Sequence, residues 1–131
     1  MIHLRLDRSS GVPTYIQLLR HFRYAIWSGT LRPGMRLPPA RELVATLAIN
    51  PNTVFKAYAQ LERTGLVISR PGQGTYVAVA APAPIDGQVR RKLDRSLEAW
   101  LIAASRAGIE RETVLTMVTQ MLDAVYAREI A

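Results

Sequence analysis

The chain has 131 residues, a length suited to one ordinary domain or a small domain with an appendage. Hydrophobic residues make up 49%, enough for a packed core, and the absence of cysteine excludes disulfides and cysteine-ligated metal sites. The net charge of +7 is unevenly placed: residues 1–80 hold ten Lys/Arg against three Asp/Glu, while residues 81–131 hold seven of each sign.

Ile2, Leu4 and Leu6 alternate with His3 and Arg5, which predicts a short edge strand over residues 2–6. Gly11-Val12-Pro13 breaks the chain, and Thr14 is placed to cap a first helix starting near Tyr15. Ile16, Leu19, Phe22 and Ile26 give that helix one apolar face until Ser28-Gly29 ends it. Its expected role is scaffolding. Pro33-Gly34 and Pro38-Pro39 then punctuate the approach to a second helix over residues 40–47, where Leu43, Val44 and Leu47 recur at helical spacing.

Asn50-Pro51 is a strong helix start, because Asn is a favoured N-cap and Pro fits the first turn. The third helix is expected from Pro51 to about Thr64, with Gly65 as its stop. Leu66–Arg70 and Thr75–Ala78 read as two strands joined by Pro71-Gly72-Gln73-Gly74. Helix, tight turn, helix and glycine-tipped hairpin is the layout of a winged helix-turn-helix, which lays one helix in the DNA major groove.

Beyond it, Ala80-Ala81-Pro82-Ala83-Pro84 has the composition of a linker. Two further helices are expected over residues 85–106 and 111–128, separated by Ala107-Gly108. Their apolar seam runs from Ile85 through Val89, Leu93, Leu97, Trp100, Leu101 and Ala104, then Val114, Met117, Val118, Met121, Leu122 and Val125. Two helices cannot bury such a seam alone against the entropy of ordering them. Leu93, Leu97, Trp100, Leu101, Met117, Met121 and Val125 are therefore expected to form a dimerisation surface; the plainer alternative packs the hairpin on its own winged helix. The expected fold is mainly α with a small β-wing. It comprises a DNA-binding domain over residues 1–79, a linker over 80–84 and a two-helix dimerisation region over 85–131.

On a helical wheel, Val54, Ala57, Tyr58 and Leu61 share the inner side of the third helix, while Asn52, Lys56 and Arg63 lie roughly opposite, with Ala59 between them. An amide for a base edge, two cations for phosphate or guanine and a small residue for close approach suit a duplex. A solvated helix face is the plainer reading of the same residues. Phe55 flanks these faces; it can meet a thymine methyl, but an aromatic there more often extends the core. Arg41, in the first turn of the second helix, can reach the backbone or a base edge. At the hairpin tip, Gly72 and Gly74 permit a tight turn, and Arg70 and Gln73 supply reach; a plain hairpin explains the glycines equally well.

An excess of basic charge confined to the first 80 residues favours a polyanionic partner through counterion release, although solubility alone can select such a bias. Enzymatic chemistry has little to stand on: His3 and His21 have no spaced partners, and Gly72-x-Gly74 lacks the rest of a nucleotide-binding loop. No cofactor or metal is expected. No apolar run reaches the roughly 20 residues of a membrane span and no signal peptide is evident, so a cytoplasmic protein without membrane partners is expected. The rival function is a winged-helix protein–protein adaptor that binds no DNA.

The motifs carry a family resemblance over about residues 11–78. They are Pro13-Thr14-Tyr15-Ile16-Gln17-Leu18, Gly29-x-Leu31-x-Pro33-Gly34, Leu37-Pro38 and Arg41-Glu42-Leu43, then Asn50-Pro51-Asn52-Thr53-Val54, Ala57-Tyr58, Leu61-Glu62 and Gly72-x-Gly74-Thr75-Tyr76-Val77. In these the chain resembles the GntR family of bacterial transcription regulators. Its short helical tail resembles the YtrA-type subfamily rather than the aminotransferase-like fusions. The resemblance implies a homodimer on a palindromic operator in double-stranded DNA, repressing its own operon, which in this subfamily often holds ABC transporter genes. It places DNA contacts on Arg41, Asn52, Thr53 and the wing near Gly72–Gly74; Asn50 joins them at the helix start. It names no small-molecule effector. Two departures stand out: Pro39 replaces a usual capping serine, and Phe55 stands where a polar or basic residue is common.

Overall fold

A computed structural model describes residues 4–130, and among them it contains five helices and a two-stranded antiparallel sheet. The chain divides into two compact units, with the boundary between Asp86 and Gly87.

In the first unit, helix α1 spans Thr14–Ser28, α2 Ala40–Leu47 and α3 Pro51–Arg63, followed by strands β1 (Val67–Arg70) and β2 (Gly74–Val77). The core forms where the inner faces of α1 and α3 meet: Leu18, Leu19, Phe22, Ala25 and Ile26 against Val54, Ala57, Tyr58 and Leu61, closed by Leu37, Leu43, Val67 and Val77. Phe22 and Tyr58 meet edge to face at 5.3 Å, the arrangement that ring quadrupoles favour. Burying each large side chain of this set stabilises the fold by about 1.5–3 kcal/mol, so this contact dominates the unit.

Helix ends follow local chemistry. Gly29 takes the left-handed conformation (φ 84°) and donates its N–H to the Ile26 carbonyl, which stops α1 as expected. At the other end Thr14 is helical rather than capping: Pro13 holds the cap position and its carbonyl accepts from the Ile16 and Gln17 N–H groups. The sheet register pairs Val67 with Val77 and Arg70 with Gly74. Residues 35–37 run along the other edge of β2, with Leu37 N–H on Thr75 O and Val77 N–H on Met35 O, both at 2.8 Å. The wing is thereby fixed to the segment that leads into α2.

The predicted strand over residues 2–6 is not borne out where it can be judged. Leu4–Leu6 are irregular, and Ile2 and His3 lie outside the described residues. Leu4 and Leu6 pack on the core without strand pairing, and the His21 ring nitrogen meets the Arg5 carbonyl at 3.0 Å.

The second unit holds α4 (Gly87–Arg106) and α5 (Arg111–Ile130). Gly108 (φ 78°) donates to Ser105 O, and Ile109 N–H to Ala104 O, which turns the chain between them. Helix α4 starts two residues later than the apolar spacing predicts, because Ile85 belongs to the first unit, where its N–H donates to Trp27 O at 2.9 Å. Among the described residues of this unit, Ala104 alone is buried. Leu93, Leu97, Trp100, Leu101, Met117 and Met121 are exposed and Val125 half-buried. Leu97, Trp100, Met117, Met121 and Val125, with Val118, Leu122 and Tyr126, line an open apolar groove of about 350 Å³. No helix among the described residues is long and apolar enough to cross a membrane.

Candidate nucleic-acid interface

The recognition element is built from its cap outward. Asn50 is extended (φ −69°, ψ 137°), and its Oδ1 accepts the Asn52 N–H at 2.8 Å, with Pro51 at the first helical position. Its side-chain oxygen thus holds the helix start. With Val54, Ala57, Tyr58 and Leu61 buried, the opposite side of α3 leaves Asn52, Phe55, Lys56, Ala59 and Arg63 exposed and Thr53 half-buried. Lys56 Nζ sits 4.1 Å from the centroid of the Tyr15 ring, and Arg63 Nη1 donates to Gln60 Oε1 at 3.3 Å. Asn50, Asn52, Thr53 and Lys56 gather with Thr14 and Tyr15 around one cleft at the start of α3.

Helix α2 is held in front of α3 by two devices the sequence does not advertise. Its start has no side-chain cap, as Pro39 implies; instead the Tyr58 hydroxyl donates to Pro38 O at 2.6 Å and fixes the entering loop from the core side. Burial raises the Tyr58 hydroxyl above its ordinary pKa, and the nearby Glu42 charge adds to the shift, so the donor stays protonated. At the other end Ala48 takes a left-handed conformation (φ 53°), and Arg8 Nη2 donates to both Leu47 O and Ala48 O at 2.6 and 2.9 Å. A guanidinium on these terminal carbonyls satisfies acceptors that the helix leaves open. Arg41 stands exposed at the head of α2, where a hollow brings it near Arg36, Pro39 and Glu42.

At the wing, Gly72 (φ 74°) and Gly74 (φ 117°) occupy backbone conformations that side chains rarely adopt. Gln73 N–H closes the turn on Arg70 O at 2.9 Å, and the Arg70 guanidinium lies 4.8 Å from the Tyr76 ring centroid. Gln73 and Arg70 are exposed. Arg36, which sequence reasoning passes over, pairs with Tyr76 across the sheet edge and lays its guanidinium over Gly74: a Cβ there would come within 2.6 Å of Arg36 Nε. Only its charge could have marked it.

Between the head of α2, the outer face of α3 and the wing runs a groove of about 360 Å³, lined in part by Arg36, Pro39, Ala40, Phe55, Ala59 and Gly74. Phe55 opens into it and is 58% exposed, so the expected extension of the core through Phe55 is overturned. The inner positions of α3 already fill the contact with α1 and leave it no buried place. The surface therefore presents cations, an amide and an apolar ring around one protruding helix. That is what a duplex requires: phosphate partners around a reading surface.

The model of the bacterial regulatory proteins of the gntR family matches residues 14–77. The HTH-type transcriptional repressor YtrA of Bacillus subtilis (strain 168) is 34% identical over 109 residues, covering 83% of this chain and 84% of its own. The chain belongs to the gntR family. The likeness to YtrA covers more of the chain than residues 14–77 and places it in the YtrA-type subfamily. Among solved structures, a GntR family transcriptional regulator from Listeria monocytogenes superimposes with a TM-score of 0.52 at 29% identity, covering 88% of this chain and 98% of that one. The DNA-binding domain of AraR, solved in complex with operator ORX1, superimposes with a TM-score of 0.54 at 30% identity, covering 58% and 98%. As a GntR-family protein the chain is a DNA-binding transcriptional regulator, and its relatives are regulators rather than enzymes.

Proposed function

We propose that the chain acts as a two-fold dimer that represses its own operon from a palindromic operator. The observation that carries this reading is the α3 surface, where every inward residue is buried while Asn52, Lys56, Ala59 and Arg63 stay exposed beside Arg41 and the wing. The apolar residues left exposed on α4 and α5 support dimerisation through the tail, since a second copy would cover them. The repressor activity named for YtrA and the operator seated on AraR support the same reading. Arg41, Asn52 and Thr53 serve as base-reading candidates, Lys56, Arg63 and Arg70 as phosphate partners, and Gly72–Gly74 as the close-approach tip of the wing.

The adaptor alternative is disfavoured by the operator bound to AraR and by the excess of ten Lys/Arg over three Asp/Glu in residues 1–80, which a protein-docking role does not require. The test is footprinting on the chain's own upstream region, with the solution mass measured in parallel. Two symmetric protected half-sites about 34–36 Å apart, one DNA turn, are expected, together with a mass of two chains. Uniform protection of unrelated DNA, or a one-chain mass at binding concentrations, would contradict it.

A further inference from the structure

The exposed aromatic on α3 has a chemistry that the other surface residues lack. Phe55 lies one turn after Asn52 and one turn before Ala59, both exposed, and it opens into a groove whose remaining lining includes Pro39 and Ala40. It is absent from the residues that pack on the core, although apolar neighbours such as Val44 and Ile49 do pack there. Arg36 and Glu62 line the same groove, while Lys56 lies at the neighbouring cleft over Tyr15, so the apolar strip sits within the DNA-reading surface.

We propose that Phe55 is a specificity-determining residue that selects thymine, through its 5-methyl group, at one position of each operator half-site. The inference rests on the DNA-reading function proposed above. In the major groove every base edge offers hydrogen-bonding atoms, and only thymine adds an apolar group. A phenyl ring cannot pair with the exposed edge of guanine, adenine or cytosine, and covering such an edge would strip its water without compensation. Against thymine the ring instead buries a methyl. Charge complementarity sets the occupant: residues 1–80 carry ten Lys/Arg against three Asp/Glu, an excess that calls for phosphates, and a duplex is the partner that brings phosphates and methyl groups to one helix.

The experiment uses the full chain and its footprinted operator. Each thymine of the half-sites is replaced in turn by deoxyuridine, which removes only the methyl, and affinity is measured for wild type and Phe55→Ala. At one symmetry-related position the replacement should weaken wild-type binding roughly fourfold per half-site, the value of one buried methyl. In Phe55→Ala that penalty should vanish, and 5-methylcytosine at the same position should restore wild-type affinity better than cytosine. Phe55→Arg should shift preference there toward guanine, a readout that loss of folding cannot imitate. Wild-type binding that keeps operator preference but ignores every uracil replacement would overturn this inference alone, as would an equal penalty in Phe55→Ala. Loss of operator preference in the wild type would overturn the DNA-reading function and this inference with it.

Discussion

The Tyr58 hydroxyl donates to the Pro38 carbonyl at 2.6 Å, joining the core face of the recognition helix to the head of α2. Pro39 supplies no side-chain cap there, so the phenolic hydrogen bond joins the Leu37–Thr75 backbone bond in holding the loop against which the DNA-facing groove is shaped. Tyr58→Phe keeps the ring in its edge-to-face contact with Phe22 and removes only that bond. The expected loss is about 1 kcal/mol of stability, read by urea denaturation, with weaker operator binding. The raised pKa adds a pH signature. The folded state keeps its proton while the unfolded chain releases it, so stability is full below about pH 10 and falls as pH rises above it. Tyr58→Phe should make that alkaline decline shallower.

Gly74 is required by its φ of 117°, and a Cβ there would also push aside the guanidinium of exposed Arg36 that lies above it. Gly74→Ala should destabilise the unit by about 1–3 kcal/mol. Gly72→Ala, with open space around its position, should cost about 1 kcal/mol from backbone conformation alone. Removing the guanidinium with Arg36→Ala should recover only a small part of the Gly74→Ala loss, since φ causes most of it, and none of the Gly72→Ala loss. A double-mutant cycle in denaturant measures this coupling.

Ala48 is the one non-glycine residue among those described with a positive φ, and it closes α2 under the Arg8 guanidinium. Ala48→Gly removes a left-handed strain and should stabilise the protein by roughly 0.5–1 kcal/mol, after the added flexibility of the unfolded chain is offset. Arg8→Ala should act in the opposite direction. Thermal unfolding of both variants checks the signs.

These devices mark the limit of what the residues disclose on their own. Helix α3 was legible because its signals are local: the Asn50-Pro51 start and the Val54, Ala57, Tyr58, Leu61 repeat act within a few residues. The wing was legible for the same reason, from Gly72 and Gly74. Arg36 and Arg8 were not, since their roles depend on partners 38 and 40 residues away in the chain, Gly74 and Ala48. Ile85 falls on the apolar seam of α4 by spacing, but three-four spacing cannot register its bond to Trp27. Phe55 misled because hydrophobicity predicts burial, whereas the packed face of α3 was already full.

The residue roles at the interface separate by how they respond to sequence and salt. Arg41→Ala and Asn52→Ala should each cost about 1–3 kcal/mol on the operator and little on unrelated DNA. Lys56→Ala and Arg63→Ala should weaken both targets and reduce the salt slope by about one each. Asn50→Ser retains a capping oxygen and should leave both stability and affinity near wild type, whereas Asn50→Ala should lose about 1 kcal/mol of stability. Affinities titrated on both duplexes distinguish these outcomes.

The most direct measurement is competition between the chain's own upstream fragment and an unrelated duplex of equal length, followed as salt is raised. Specific binding is expected to exceed non-specific binding by at least about a thousandfold, with both falling steeply as the salt concentration climbs. Equal affinity for the two duplexes at every salt concentration would contradict a sequence-reading regulator.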